Sequence, residues 1–108
     1  MTLSLFFAEL IGTALLIYIG AGAVALQASL IEVALAHGLV VLVFVYAYGY
    51  ISGTHINPAV TLAFLYLKKI SIKESFIYFT AQFMGAFVGA LALKFSLLNT
   101  GIFGLGET

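Results

Sequence analysis

Ser52-Gly53-Thr54-His55-Ile56-Asn57-Pro58-Ala59-Val60-Thr61 reads as a turn followed by the start of a helix. Asn57 is a good N-cap, because its side-chain oxygen can accept from a free N–H of the first turn. Pro58 suits the first helical position, where its missing N–H is no loss and its fixed φ is already helical. The sequence around this stretch is apolar enough for a bilayer, so the helix starts at membrane depth. Non-helical backbone is tolerated there only when it is buried in protein or lines a water-filled cavity. The Asn57-Pro58 pair therefore points to a pore.

Composition supports the membrane setting. Of 108 residues, 64% are hydrophobic and 7% are charged, and the mean hydropathy is +1.22. Soluble domains carry about 25% charged residues, so this chain could not clothe a globule in polar groups. Its length suits one domain. Cysteine is absent, which removes disulfides, thiolate metal sites and cysteine nucleophiles. Arginine is absent too, and the four lysines make no nucleic-acid footprint. The N-terminus lacks a basic n-region, and its apolar run exceeds the roughly 7–15 residues of a signal-peptide core. It reads as a retained transmembrane helix.

Three stretches are long enough to cross, which takes about 20 residues. They cover about 3–28, 33–51 and 75–98, and a short polar break lies between the first two. Residues 58–67 are apolar but cover only about half that length, and read as a re-entrant half-helix. Lys68, Lys69 and Lys73 share the next loop, and Lys94 lies toward the opposite face. The lysine-rich loop should be cytoplasmic, which puts the N-terminus on that side as well.

Three motifs occur in order. Ala8-Glu9-Leu10-Ile11-Gly12-Thr13 lies in the first span, Ser52 to Thr61 follows the second, and Ala81-Gln82 with Gly85-Ala86 lies in the third. They resemble the first-helix opening, the first Asn-Pro-Ala signature and the third helix of the aquaporin, or major intrinsic protein, family. Asn-Pro alone is an ordinary turn signal; three matches in order between membrane-length segments are specific. The resemblance covers nearly the whole chain but half of the family fold, whose ordinary members contain two inverted halves. It implies an all-α membrane protein with a single repeat over 1–108: three transmembrane helices plus one re-entrant half-helix. Gly104-Leu105-Gly106-Glu107-Thr108 resembles the loop that leads into a second half.

The resemblance assigns roles residue by residue. Asn57 would present its amide NH₂ to permeating water, at the positive end of the half-helix dipole. Pro58 would fix the helix start, Ala59 would let two half-helices approach, and Val60 follows them at the lumen. The carbonyls of Gly53, Thr54, His55 and Ile56 would form a ladder of acceptors along the pore. The His55 side chain could instead anchor the turn. His37, 20 residues before Asn57, occupies a position of the outer constriction and could donate to a passing solute. An ionisable residue in a span is a functional candidate by default, although helix packing is the plainer reading. Two histidines without nearby carboxylates or thiols make a poor metal site, and no cofactor is called for. Glu9 and Gln82 would support the re-entrant loop, because an unpaired buried charge is expensive; a proton-relay role for Glu9 would need partners. Gly85 and Gly89 form a small-residue face that suits close helix crossing.

The reading is a passive channel for water or small neutral solutes such as glycerol or ammonia, not an enzyme. It would sit in the lipid bilayer, in the plasma (inner) membrane, as a homo-oligomer or with a second inverted half-channel. No arginine follows Ala59, where Val60 stands, so the filter chemistry leaves the solute open. The alternatives are a truncated, non-conducting fragment or small structural membrane protein, and a small dual-topology exporter. The last would need Glu9 exposed to a central cavity.

Overall fold

A computed structural model describes residues 2–98 and 100–101. The segment 104–108, read above as a connecting loop, lies outside the described residues. The order is α1 (Thr2–Ala25), α2 (Leu30–Ser52), α3 (Pro58–Tyr66) and α4 (Ile72–Leu97). The chain is all-helical over its described residues. α1, α2 and α4 are long and apolar enough to cross a membrane, at 24, 23 and 26 residues. At 1.5 Å per residue each exceeds about 34 Å, against a hydrocarbon core of about 30 Å. α3 has 9 residues and reaches only about 13 Å.

The helix ends differ from the expected span limits for identifiable reasons. α2 starts at Leu30, inside the expected polar break, because Ser29 and Glu32 close a capping box. α4 likewise starts at Ile72, because Ser71 and Glu74 close another. Each box satisfies two donors that a helix start leaves free. α1 stops at Ala25, where Gln27 takes a left-handed φ of 58°. The Gln27 N–H then bonds Val24 O and the Ala28 N–H bonds Ala23 O, a Schellman ending. α3 ends the same way, with Lys68 at φ 58° and Lys69 N–H on Phe64 O.

α1 is the central helix, packed against α2 on one side and α4 on the other, while α3 leans on α4. The α1–α4 seam is set by glycine. A Cβ at Gly85 would run into the Leu10 carbonyl, and one at Gly89 into the Ala14 carbonyl. In lipid, where burial supplies no force between helices, such close approach gains van der Waals contact. Gly12 opens α1 toward α2 and the following turn: a Cβ there would sit 2.6 Å from Ile56 Cγ2 and 3.2 Å from Phe44 Cδ1. Farther along, Ala25, Leu93 and Leu97 form a buried cluster with Tyr18 and Ala21 packed on it. α2 is the least covered of the three long helices, with Val40, Phe44 and Ser52 its buried residues.

The seam predicts a contrast. Gly85→Val should lower resistance to thermal unfolding in detergent by about 1–3 kcal/mol, the range for overpacking. Gly38→Ala, where nothing lies within 4 Å of the new Cβ, should stabilise by roughly 0.5–1 kcal/mol through helix propensity.

Candidate functional site

The site is built around Glu9, whose side chain has no exposure. Four donors converge on its carboxylate. Oε2 accepts from Ser52 Oγ at 2.7 Å and from the His55 backbone N–H at 3.1 Å. Oε1 accepts from the Ile56 N–H at 2.8 Å and from Gln82 Nε2 at 3.0 Å. An acceptor-only group is what four donors require. Ser52 Oγ also accepts from the Thr54 N–H at 3.1 Å.

These bonds orient the turn. A trans peptide plane points its N–H and C=O in opposite directions. The N–H groups of Thr54, His55 and Ile56 all turn toward Ser52 and Glu9, so the carbonyls of Gly53, Thr54 and His55 turn away. No hydrogen bond among the described residues takes those three oxygens. The backbone reaches this shape through left-handed φ values of 80° at Gly53, 52° at Thr54 and 40° at Ile56. For β-branched Thr54 and Ile56 this is strained, by about 1–3 kcal/mol each. The turn resembles an anion-binding nest of consecutive N–H groups, with Glu9 as the anion.

Asn57 caps α3. Its Oδ1 accepts from the Ala59 N–H at 2.8 Å, which leaves the side-chain NH₂ as its available donor. Asn57 is exposed, as are Ala59 and Val60, with Pro58 partly covered at the first position. Thr61, completely buried, accepts from Gln82 Nε2 at 2.9 Å. This bond puts the start of α3 level with the middle of α4. The His55 ring is buried between Phe64 and Tyr78, with centroids 4.6 and 4.1 Å away in near-parallel stacks, and its Nδ1 lies 3.0 Å from Thr61 Oγ1. The Tyr78 hydroxyl donates to the Ser52 carbonyl.

His37 lies apart from this cluster, exposed, its ring packed over Gly20 of α1. Its Nδ1 is 2.8 Å from Val33 O. A carbonyl only accepts, so Nδ1 is the donor in this contact. Ser52, Thr61 and Tyr78 are the hydrogen-bonding residues that sequence reading gave no role. A signal existed for the third: Ser75, Tyr78 and Gln82 repeat at helical spacing on the buried face of α4.

A model of the family described as Major intrinsic protein matches residues 2–105. The chain is 43% identical to a lens fiber major intrinsic protein of Lithobates pipiens over 91 residues, which are 81% of this chain and 35% of that protein. It is 37% identical to glycerol uptake facilitator protein-like 6 of Lactiplantibacillus plantarum over 106 residues, 95% of this chain and 49% of the relative. It is 39% identical to a probable aquaporin NIP-type of Nicotiana alata over 104 residues, 90% and 38% respectively. The chain thus spans between about a third and a half of the length of these relatives.

The Glu9 geometry ranks two variants. Glu9→Leu orphans four donors and should destabilise by at least about 3 kcal/mol, since each buried unsatisfied group costs about 1–3 kcal/mol. Glu9→Gln keeps one acceptor oxygen but turns an NH₂ toward two donors, and should fall between Leu and the parent. Unfolding titrations in mixed micelles that place all three together would contradict this arrangement.

Proposed function

The chain belongs to the major intrinsic protein family, and we propose that it forms half of a passive channel for water or small neutral solutes. Its family and its three membrane-length helices make it an integral membrane protein; the proposed location is the plasma (inner) membrane. The observation that carries the reading is the state of Asn57. Its oxygen is held by the α3 N-terminus, so its NH₂ is directed outward as a donor. That donor orients the oxygen of a passing water, while the positive end of α3 opposes cations. The carbonyls turned away from Glu9 supply acceptors next to it, so a file of water finds both kinds of partner. Glycerol hydroxyls or ammonia fit the same pairing, and the names of two relatives, an aquaporin and a glycerol facilitator-like protein, support that solute class.

A lumen needs a second wall. The exposed sides of α2 and α3 suit an inverted second half, from another copy or from a different polypeptide segment. The lysines favour the latter. Lys68 and Lys69 in the loop after α3 and Lys73 in the first turn of α4 are all exposed, and such a bias at one end of the helices sets one orientation. Copies inserted one way cannot pair antiparallel, and this chain alone would then be a non-conducting fragment.

If two copies pair, liposomes carrying the protein at high density should shrink faster under an osmotic gradient than empty ones. Asn57→Asp should slow water and raise cation leak, because a carboxylate replaces the donor and attracts cations. His37→Ala should raise glycerol flux relative to water by widening the path. Absence of any neutral-solute flux, with every copy inserted in one orientation, would replace the channel reading for this chain alone with the fragment reading.

A further inference from the structure

Thr61 joins the support network to the helix cap. Its hydroxyl oxygen has three neighbours: Gln82 Nε2 at 2.9 Å, His55 Nδ1 at 3.0 Å and the Asn57 carbonyl oxygen at 3.4 Å. A hydroxyl has one proton to donate and two lone pairs. All three contacts coexist in one arrangement only. Gln82 and His55 both donate to Thr61, and Thr61 donates to Asn57. His55 must then carry its proton on Nδ1. In the reverse arrangement, with Thr61 donating to His55, the Asn57 carbonyl keeps only the Thr61 backbone N–H at 3.2 Å. Gln82 Nε2 spends its other proton on Glu9 Oε1. An unbroken path therefore runs from Glu9 through Gln82 and Thr61 to Asn57.

We propose that Thr61 is the positioning residue for Asn57. Its hydroxyl holds the Asn57 carbonyl from below while the Ala59 N–H holds the Asn57 side-chain oxygen. With both ends of the residue fixed, the NH₂ points one way. The same hydroxyl selects the Nδ1–H form of His55, because the Phe64 and Tyr78 stacks fix only the plane of the ring. The consequence for permeation rests on the channel reading; the geometry of Asn57 and His55 does not.

Nitrogen NMR of the labelled full chain in bilayers tests this without transport. The wild type should show His55 protonated at Nδ1. Thr61→Val should move that proton to Nε2 and shift the Asn57 side-chain amide resonance, and Thr61→Ser should restore both. A wild-type proton on Nε2 overturns the proposal, as does a folded Thr61→Val with an unchanged Asn57 amide. Should Thr61→Val fail to fold, the wild-type tautomer and the Thr61→Ser spectrum still decide. In conducting vesicles, Thr61→Val should raise the ratio of cation leak to water flux roughly fivefold, the factor one neutral hydrogen bond is worth, and Thr61→Ser should reverse it. An unchanged ratio overturns the proposal. A wild type that conducts nothing removes the channel reading for this chain alone, and the spectra still decide the role of Thr61.

Discussion

A carboxylate with no exposure, in a bundle of apolar helices and without a cation beside it among the described residues, must be satisfied by hydrogen-bond donors or be expelled. Glu9 is satisfied by four, drawn from the end of α2, from the turn after it and from α4. One side chain of α1 thereby ties together α2, the turn and α4, and Gln82 carries the link on to Thr61 of α3. The turn cannot relax into a helix or a solvated loop without taking two of the four donors from that charge.

Packing and chemistry share this point. Gly85, one turn past Gln82, lets α4 close onto the Leu10 carbonyl, and Leu10 follows Glu9. The glycine seam is what brings the Gln82 amide within reach of the carboxylate and of Thr61. Against these gains stands the strain at Thr54 and Ile56, of order 1–3 kcal/mol each. Hydrogen bonds to a charged acceptor are worth about 1.5–3 kcal/mol each, so two backbone N–H bonds to Glu9 offset it. What results is a turn whose Thr54, His55 and Ile56 N–H groups are committed inward and whose Gly53, Thr54 and His55 carbonyls face the other way. That asymmetry suits a file of small hydrogen-bonding solutes.

The helical architecture was legible in the sequence because apolar runs of membrane length and an Asn-Pro start leave few alternatives. The ends of the helices were less so. Ser29 with Glu32, and Ser71 with Glu74, are ordinary capping boxes, but polar residues between apolar runs read more readily as breaks than as first turns. The stops after Ala25 and Tyr66 rest on Gln27 and Lys68 in left-handed conformations, where no glycine marks the position. Within the site, family resemblance singled out Glu9, Gln82, the Asn57 amide and the carbonyls of the turn, but not the side chains of Ser52, Thr61 and Tyr78 that hold them. Ser52, Thr61 and Tyr78 bond to residues 43, 21 and 26 positions away, and no local pattern encodes such pairings. The direction of the His37 proton depends on one i−4 carbonyl, again a matter of rotamer rather than of residue type.

Amide hydrogen exchange of the full chain in bilayers tests the central claim most directly. The His55 and Ile56 N–H groups belong to no helix, yet the Glu9 carboxylate should protect them as strongly as the buried middle of α1. Exchange at those two amides as fast as in the 68–71 loop, with α1 still protected, would contradict it.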